Sequence, residues 1–418
     1  MIRTAPLPPS ARLVPNAISL VATTAATSGL GAAYWWLAAR SLPQATVGLA
    51  SATVSAKLLL STLAMLGLGT WLTGALPRRS GPAGPPVAFA LVVSGAAGGL
   101  LGLLFALCAP VVSAPYAPLQ PPAVALFFAL GVAVSAAVFV LDQAVIGLLR
   151  GDLQLWRNTA AAILKLLALV YVIRTGSATA LAIYGTWVFG NVVSLAAFAV
   201  LARQSGLSLA VRPDWTLAGR LGEPLRHHAL TMALQGPSLA LPVLVAAIVS
   251  SGANASFYTA WMVAGFALVV PQALTTVLFA VQAADAAALA SRLRRTLLLS
   301  VAAGLASALV LAAASGPILS FFGRGYAEQG AASLRLLGLL VFPYILKTHF
   351  VAVARIQGWI GRAARWTAGL GLLELSMAAA GGAAAGLEGL TIGLLLAALL
   401  GCAVTAGPVR AAATGGTA

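Results

Sequence analysis

The sequence predicts an all-α protein that crosses a membrane about a dozen times. Apolar residues make up 61% of the 418 residues and charged residues only 8%, too few to cover the surface of a soluble protein of this size. At about 20 residues per spanning helix plus short loops, this length accommodates about twelve spans. A polytopic integral membrane protein without a sizeable soluble domain is therefore expected.

Twelve apolar runs, bounded by proline, glycine and basic residues, define the predicted spans. They fall at 16–39, 47–76, 87–110, 122–149, 159–173, 178–201, 229–250, 255–281, 296–314, 332–354, 366–384 and 389–407. The fifth run is short and the last two are weakly separated, so ten or eleven spans are alternatives. The predicted organisation is an N-terminal six-helix bundle at 1–202, a cytoplasmic linker at 203–228 and a C-terminal six-helix bundle at 229–418.

The basic residues predict how the chain is oriented in the membrane. With the N-terminus in the cytoplasm, most of the 24 lysines and arginines fall in cytoplasmic segments, and only Arg40, Arg174 and Arg324 fall in external ones. Positively charged loops resist translocation, so both termini are expected in the cytoplasm. The net charge of +16 is thus attributed to membrane orientation, and no nucleic-acid partner is expected.

Within the linker, Pro213 and Asp214 precede Trp215, Leu217 and Leu221. This pattern predicts a short N-capped helix lying at the membrane surface. An ordered connection without any further role is the alternative.

The two halves resemble each other when the second is moved back by about 210 residues, as in proteins built from a parallel repeat. Residues 46–50 then match 256–260 in the second helix of each half, and 157–160 match 365–368 at the fifth. Such repeats frame a central cavity in many transporters.

Ionisable residues inside the predicted spans are the candidates for function, because each costs about 2.5–3.5 kcal/mol at a helix centre unless it faces a cavity or a partner. Cations outnumber acids among them, and a cavity with this balance would attract an anion such as a pyrophosphate. The cations are Lys57, Lys165, Arg335 and Lys347, and the acids are Asp142 and Glu374.

Each of these residues also has a structural alternative. Arg335 and Lys347 lie close enough to span ends to extend their charges to the interface. Asp142 lies eight residues before Arg150 and could pair with it, and Glu374 could neutralise a lysine. Either acid could instead couple transport to protons or sodium ions, because buried carboxylates are common protonation sites.

Nothing in the sequence indicates an enzyme. It contains no nucleophile-elbow, phosphate-loop, dinucleotide-binding or zinc-ligand pattern. Cys108 and Cys402 lie inside apolar runs, without the spacing of metal ligands or disulfides. No cofactor and no metal ion is expected.

Six short segments carry a resemblance to a known family. They are ARSLPQATVGLA at 39–50, LGLG at 66–69, ALPRR at 75–79, ASFYTA at 255–260, VPQAL at 270–274 and GRGY at 323–326. With these segments, in this order, the chain resembles the polysaccharide-biosynthesis branch of the multidrug, oligosaccharidyl-lipid and polysaccharide exporter superfamily.

The resemblance implies two six-helix bundles arranged in a V that open alternately to the two sides of the bacterial cytoplasmic membrane. Members of this branch move polyprenyl-pyrophosphate-linked oligosaccharides. The charge argument assigns the pyrophosphate to Lys57 and Lys165, with Arg40, Arg335 and Lys347 as weaker candidates.

The expected partners are the lipid-linked glycan, membrane lipids and other glycan-assembly proteins, and the chain is expected to act as a monomer. A multidrug or metabolite antiporter of the same superfamily is the first alternative. Neither the first nor the seventh span carries the acid that such antiporters usually have there. A membrane-embedded glycan-assembly enzyme or scaffold is the second alternative.

Overall fold

The computed structural model describes residues 9–204, 212–284 and 289–416, and every regular element within these ranges is a helix. The α-helices are α1 Pro9–Ser41, α2 Gln44–Ala64, α3 Leu68–Ala75, α4 Gly84–Val112, α5 Pro122–Gly147, α6 Gly151–Arg174, α7 Ala180–Gln204, α8 Gly222–Ile248, α9 Ser251–Phe266, α10 Val269–Ala284, α11 Leu289–Ser320, α12 Arg324–Gln357 and α13 Ile360–Ala413. Short 3-10 helices lie at Leu76–Arg78, Ala114–Leu119 and Trp215–Arg220.

Each predicted apolar run falls on one of these helices or on a pair of them. Among the described residues, nine helices are long and apolar enough to span a membrane, or ten if α9 and α10, which meet at a 46° bend, form one span. One of the nine, α13, itself contains two helices. The all-α, multi-pass fold class is confirmed.

Two breaks divide runs that hydropathy treats as continuous or weakly separated. Leu66 and Gly67 adopt left-handed backbone between α2 and α3, and a Cβ at Gly67 would collide with the Pro224 carbonyl. In α13, non-helical Ala385 and Gly386 reverse the chain. The two halves of α13 then pack backbone to backbone, with Gly393 against the Met377 carbonyl and Gly381 against Gly389. Glycine is required at these contacts because no side chain fits.

The helices gather into two compact units. The N-terminal unit comprises Met1–Leu42 and Thr53–His228, and the C-terminal unit comprises Pro43–Ala52 and Ala229–Ala418. In the N-terminal unit α4 packs along α5, where Gly98 and Gly102 allow close approach to residues 129–136. In the C-terminal unit α12 packs against α9, α11 and α13 around a core that includes Phe257, Leu334 and Leu390.

Polar side chains hold the first turns of α2 in the C-terminal unit. The Gln44 Nε2 atom donates to Ser256 Oγ over 2.6 Å. The Asn254 Nδ2 atom donates to the Gly48 carbonyl over 2.8 Å and to Ser51 Oγ over 3.1 Å. These contacts attach residues 43–52 to α9.

The linker helix expected from the sequence is present as the 3-10 helix Trp215–Arg220. The Asp214 carboxylate caps it by accepting from the Thr216 N–H. Leu217 is buried with Leu68 and Leu72 of α3, whereas Trp215 remains 58% exposed. The Trp215 ring also meets the Phe89 ring of α4 edge-on, with centroids 5.6 Å apart, and the Asp214 N–H donates to the Pro85 carbonyl over 3.2 Å. The linker therefore packs onto the N-terminal unit, and the predicted linker residues 205–211 lie outside the described ranges.

Candidate functional site

Two lysines of the N-terminal unit meet on the faces of one tryptophan. Lys57 Nζ on α2 lies 4.7 Å from the ring centroid of Trp187 on α7, and Lys165 Nζ on α6 lies 3.8 Å from it. Lys165 Nζ is also 5.8 Å from the ring centroid of Tyr34 on α1. We call these four residues the lysine–tryptophan cluster.

Packing of α6 against both α1 and α7 positions the cluster. The Tyr34 hydroxyl is 2.7 Å from the Thr186 hydroxyl, and its ring meets the Trp187 ring edge-on with centroids 5.8 Å apart. One turn along α7, Gly190 lies against the Ala161 carbonyl and the base of Lys165. The small residue lets α6 approach α7 closely, which places Lys165 over the indole.

No described acid lies beside the two lysines of the cluster. Lys57 is 1% exposed, and neither lysine has a described Asp or Glu within ion-pair distance. Cation–π contacts are worth about 0.5–2 kcal/mol each, which offsets only part of the cost of burying an ammonium group. The Trp187 Nε1 atom is buried and has no hydrogen-bond partner in the part of the chain that the structure describes. Two ammonium groups and an unused N–H donor together suit an anion.

In the C-terminal unit the buried lysine forms an ion pair with an acid. Lys347 Nζ on α12 lies 2.9 and 3.0 Å from the two carboxylate oxygens of Glu374 on α13. Both side chains are largely buried. The sequence offered Lys347 as a substrate ligand and Glu374 as a coupling or pairing acid, and the structure joins them in one ion pair.

The Lys347–Glu374 pair lines a small cavity next to two larger ones. The first, about 30 Å³, has room for one or two water molecules. Cavities of about 180 and 240 Å³ adjoin it, and all three share Tyr344. Their other polar lining residues include Ser238, Gln272 and Thr348. Sequence reasoning missed these residues because neutral polar side chains are unremarkable in apolar helices.

Asp142 corrects two expectations. It pairs with Arg157, whose Nη2 atom lies 2.8 Å from each carboxylate oxygen, and not with Arg150, which instead binds Asp152 at 3.0 Å. Arg157 lies between the fourth and fifth predicted runs, in a segment expected in the cytoplasm, but it is 1% exposed within α6. The helix begins at Gly151, eight residues before the predicted run. Hydropathy counts a guanidinium against a span, whereas here the ion pair with Asp142 compensates its burial.

Two candidate cations remain, Arg335 and Arg40, and neither belongs to the lysine–tryptophan cluster. Arg335 Nε donates to Ser315 Oγ over 3.0 Å within the C-terminal unit, and Arg40 is exposed at the end of α1. Across the described residues, no group of three or more His, Cys, Asp or Glu side chains could hold a metal ion.

Comparison with known proteins identifies the fold. No protein-family model and no curated protein matches the sequence. An inward-facing multidrug resistance MATE family transporter of the MOP superfamily superimposes with a TM-score of 0.69 at 15% identity, covering 93% of this chain and 95% of that one. An outward-facing structure of such a transporter gives 0.61 at 14% identity, covering 97% and 96%.

A third solved structure, MATE in the bent conformation, gives a TM-score of 0.57 at 16% identity and covers 95% of this chain and 96% of that one. At these identities the likeness establishes the fold. The chain is a multi-pass membrane protein with the fold of MATE transporters of the MOP superfamily.

Proposed function

We propose that this protein is an alternating-access membrane transporter of the multidrug or metabolite exporter class, and that its substrate carries negative charge. The observation on which the charge assignment rests is the lysine–tryptophan cluster, in which Lys57 and Lys165 share Trp187 without a described acidic partner. The proposed activity is transport without a covalent step, and we assign no cofactor to it.

The fold supports the exporter class. Structures described as multidrug resistance transporters match over nearly their whole length, in both inward-facing and outward-facing conformations. This favours the alternative weighed from the sequence over the glycan flippase that the sequence segments resemble.

The charges support an anionic substrate over a cationic drug. Asp142 and Glu374 are both held in ion pairs, with Arg157 and Lys347. A cationic substrate would need to break one of these pairs to reach a carboxylate. An anion can instead bind to lysines whose charges are not already compensated.

A lipid-linked glycan is the second candidate substrate, because two ammonium groups sharing one indole suit a pyrophosphate. Under this candidate the bacterial cytoplasmic membrane, cytoplasmic termini and association with glycan-assembly proteins would apply. We propose a monomer in both cases, and a glycan-assembly enzyme is disfavoured because the matching folds belong to transporters.

Transport by purified protein in proteoliposomes tests the proposal. Three fluorescent substrates would be compared: an anionic amphiphile, the cation ethidium and a polyprenyl-pyrophosphate oligosaccharide. We expect uptake of the anionic amphiphile, lost in Lys57→Gln and Lys165→Gln and retained in Arg324→Gln, which alters an exposed arginine far along the sequence.

Each outcome decides between the candidates. Transport of the labelled oligosaccharide alone, with the same dependence on the lysines, would replace the exporter by the flippase. Transport of ethidium that persists in both lysine variants would overturn the anionic assignment.

A further inference from the structure

The N-terminal unit contains a groove outside the lysine–tryptophan cluster, at the break between α2 and α3. Its volume of about 350 Å³ lies within the range of small-molecule sites, about 300–1,000 Å³. There is open space at Gly74, where an added Cβ would meet no atom within 4 Å. We call this cavity the α3 groove, and it is lined by Gly67, Thr70, Trp71, Gly74, Ala75, Arg78 and Pro224.

The left-handed break creates the groove. The left-handed backbone at Leu66 and Gly67 changes the direction of the chain between α2 and α3. Gly67 packs directly against Pro224 at the start of α8. Residues 67, 70, 71, 74 and 78 then share one face of this short stretch. That face presents a hydroxyl, an indole and, at its end, a guanidinium.

The surroundings of the α3 groove are strongly cationic. Arg78 and Arg79 are exposed, as are Arg220 and Arg226, which flank Pro224 in sequence. None of the four forms an ion pair with a described acid. The described acid in this region, Asp214, is occupied in capping Thr216. Arginines without an ion-pair partner among the described acids, beside a preformed groove, favour an anionic ligand.

The ligand class follows from the groups present. A guanidinium binds phosphate through two parallel N–H bonds, and a threonine hydroxyl can add a third. Two exposed leucines lie close in sequence to lining residues: Leu225, directly after Pro224, is 41% exposed, and Leu63, one turn before Gly67, is 38% exposed. Tryptophan with arginine at the end of an apolar helix is typical of the membrane–water interface.

We propose that the α3 groove binds the phosphate headgroup of an anionic phospholipid. Arg78 holds the phosphate, Thr70 and Trp71 contact the glycerol region, and Leu63 and Leu225 lie beside the acyl chains. This site is separate from the lysine–tryptophan cluster and does not depend on the transported substrate.

Native mass spectrometry of the full chain tests the proposal. Protein exchanged into detergent with equal amounts of phosphatidylglycerol and phosphatidylcholine should retain the anionic lipid preferentially. Arg78→Gln should weaken this retention about tenfold, as expected for losing a charged hydrogen bond. Gly74→Leu should weaken it to a similar extent because the added side chain occupies the groove.

Two matched controls separate the groove from general surface charge. Arg79→Gln removes the adjacent charge outside the groove lining, and Gly29→Leu adds the same side chain in α1, where there is open space. Both should change retention by less than about twofold. Monodisperse elution of every variant verifies folding.

Three results would overturn the proposal. They are equal retention of the two lipids, an effect of Arg79→Gln as large as that of Arg78→Gln, and displacement of the lipid by free glycerol phosphate at equal concentration. The last would assign the groove to a soluble phosphate compound. Because the readout is lipid retention, its failure leaves the transport proposal untouched.

Discussion

The two units each bury a lysine deep in a helical bundle, and they compensate its charge in different ways. In the C-terminal unit a carboxylate, Glu374, lies 2.9 Å from Lys347. In the N-terminal unit an aromatic ring, Trp187, lies against both Lys57 and Lys165. A carboxylate cancels the charge, whereas a ring stabilises the cation without cancelling it. The Lys347–Glu374 pair therefore has no uncompensated charge to attract a further anion, whereas the lysine–tryptophan cluster can still bind one.

Breaking the C-terminal pair should have the largest effect on stability. Glu374→Gln leaves Lys347 buried without its counter-charge, which costs about 3–5 kcal/mol. Thermal unfolding in detergent should show a markedly lower midpoint. The double variant Glu374→Gln with Lys347→Met should recover most of the loss, and a failure to recover would mean that Glu374 stabilises through other contacts.

Removing a lysine from the lysine–tryptophan cluster should raise stability instead of lowering it. Lys57→Met replaces a charge without an acidic partner by an apolar chain of similar length, so stability should rise by about 1–2 kcal/mol. Uptake of the anionic substrate should be lost in the same variant. A lower unfolding midpoint would mean that Lys57 is neutralised after all.

The indole N–H gives a finer test of the same cluster. Trp187→Phe keeps an aromatic face for both lysines but removes the unpartnered donor, so stability should change by less than about 2 kcal/mol. Affinity for the anion, from the concentration dependence of uptake, should fall about tenfold. Unchanged affinity would show that the donor does not contact substrate.

The smallest effect is expected where a charge pair is exposed. Arg324 and Glu328 pair at 2.8 Å, but the side chains are 91% and 61% exposed. Arg324→Gln should therefore alter unfolding by less than about 1 kcal/mol and leave uptake unchanged. A larger loss would mean that pairing at the surface matters as much as pairing in the interior.

Hydropathy was sufficient to predict which stretches are helical, though not the breaks inside them, because a bilayer leaves few other structures for long apolar runs. It also identified Asp142, Lys347 and Glu374 as residues that needed compensation, but not Arg157. It could not identify their partners: Asp142 was matched to Arg150 by sequence distance, whereas the fold brings it to Arg157. Hydropathy assigns Arg157 to a loop because it scores each residue by itself. An ion pair depends on two residues that the fold brings together, so hydropathy does not detect it.

The aromatic half of the lysine–tryptophan cluster could not be predicted for the same reason. Trp187 and Tyr34 are ordinary residues of apolar helices, and only the crossing of α1, α6 and α7 brings them to the lysines. The α3 groove depends on Leu66 and Gly67 adopting left-handed backbone, which a LeuGly pair in an apolar run does not reveal.

The reversal at Ala385 and Gly386 determines more than local packing. A straight helix of 54 residues would be about 80 Å long, far more than a bilayer's hydrocarbon thickness of about 30 Å. Folding it back returns the chain to the face from which it entered. The side of the membrane reached by residues 387–413 therefore depends on these two residues, and a tag placed after Ala413 would report whether the hairpin had formed.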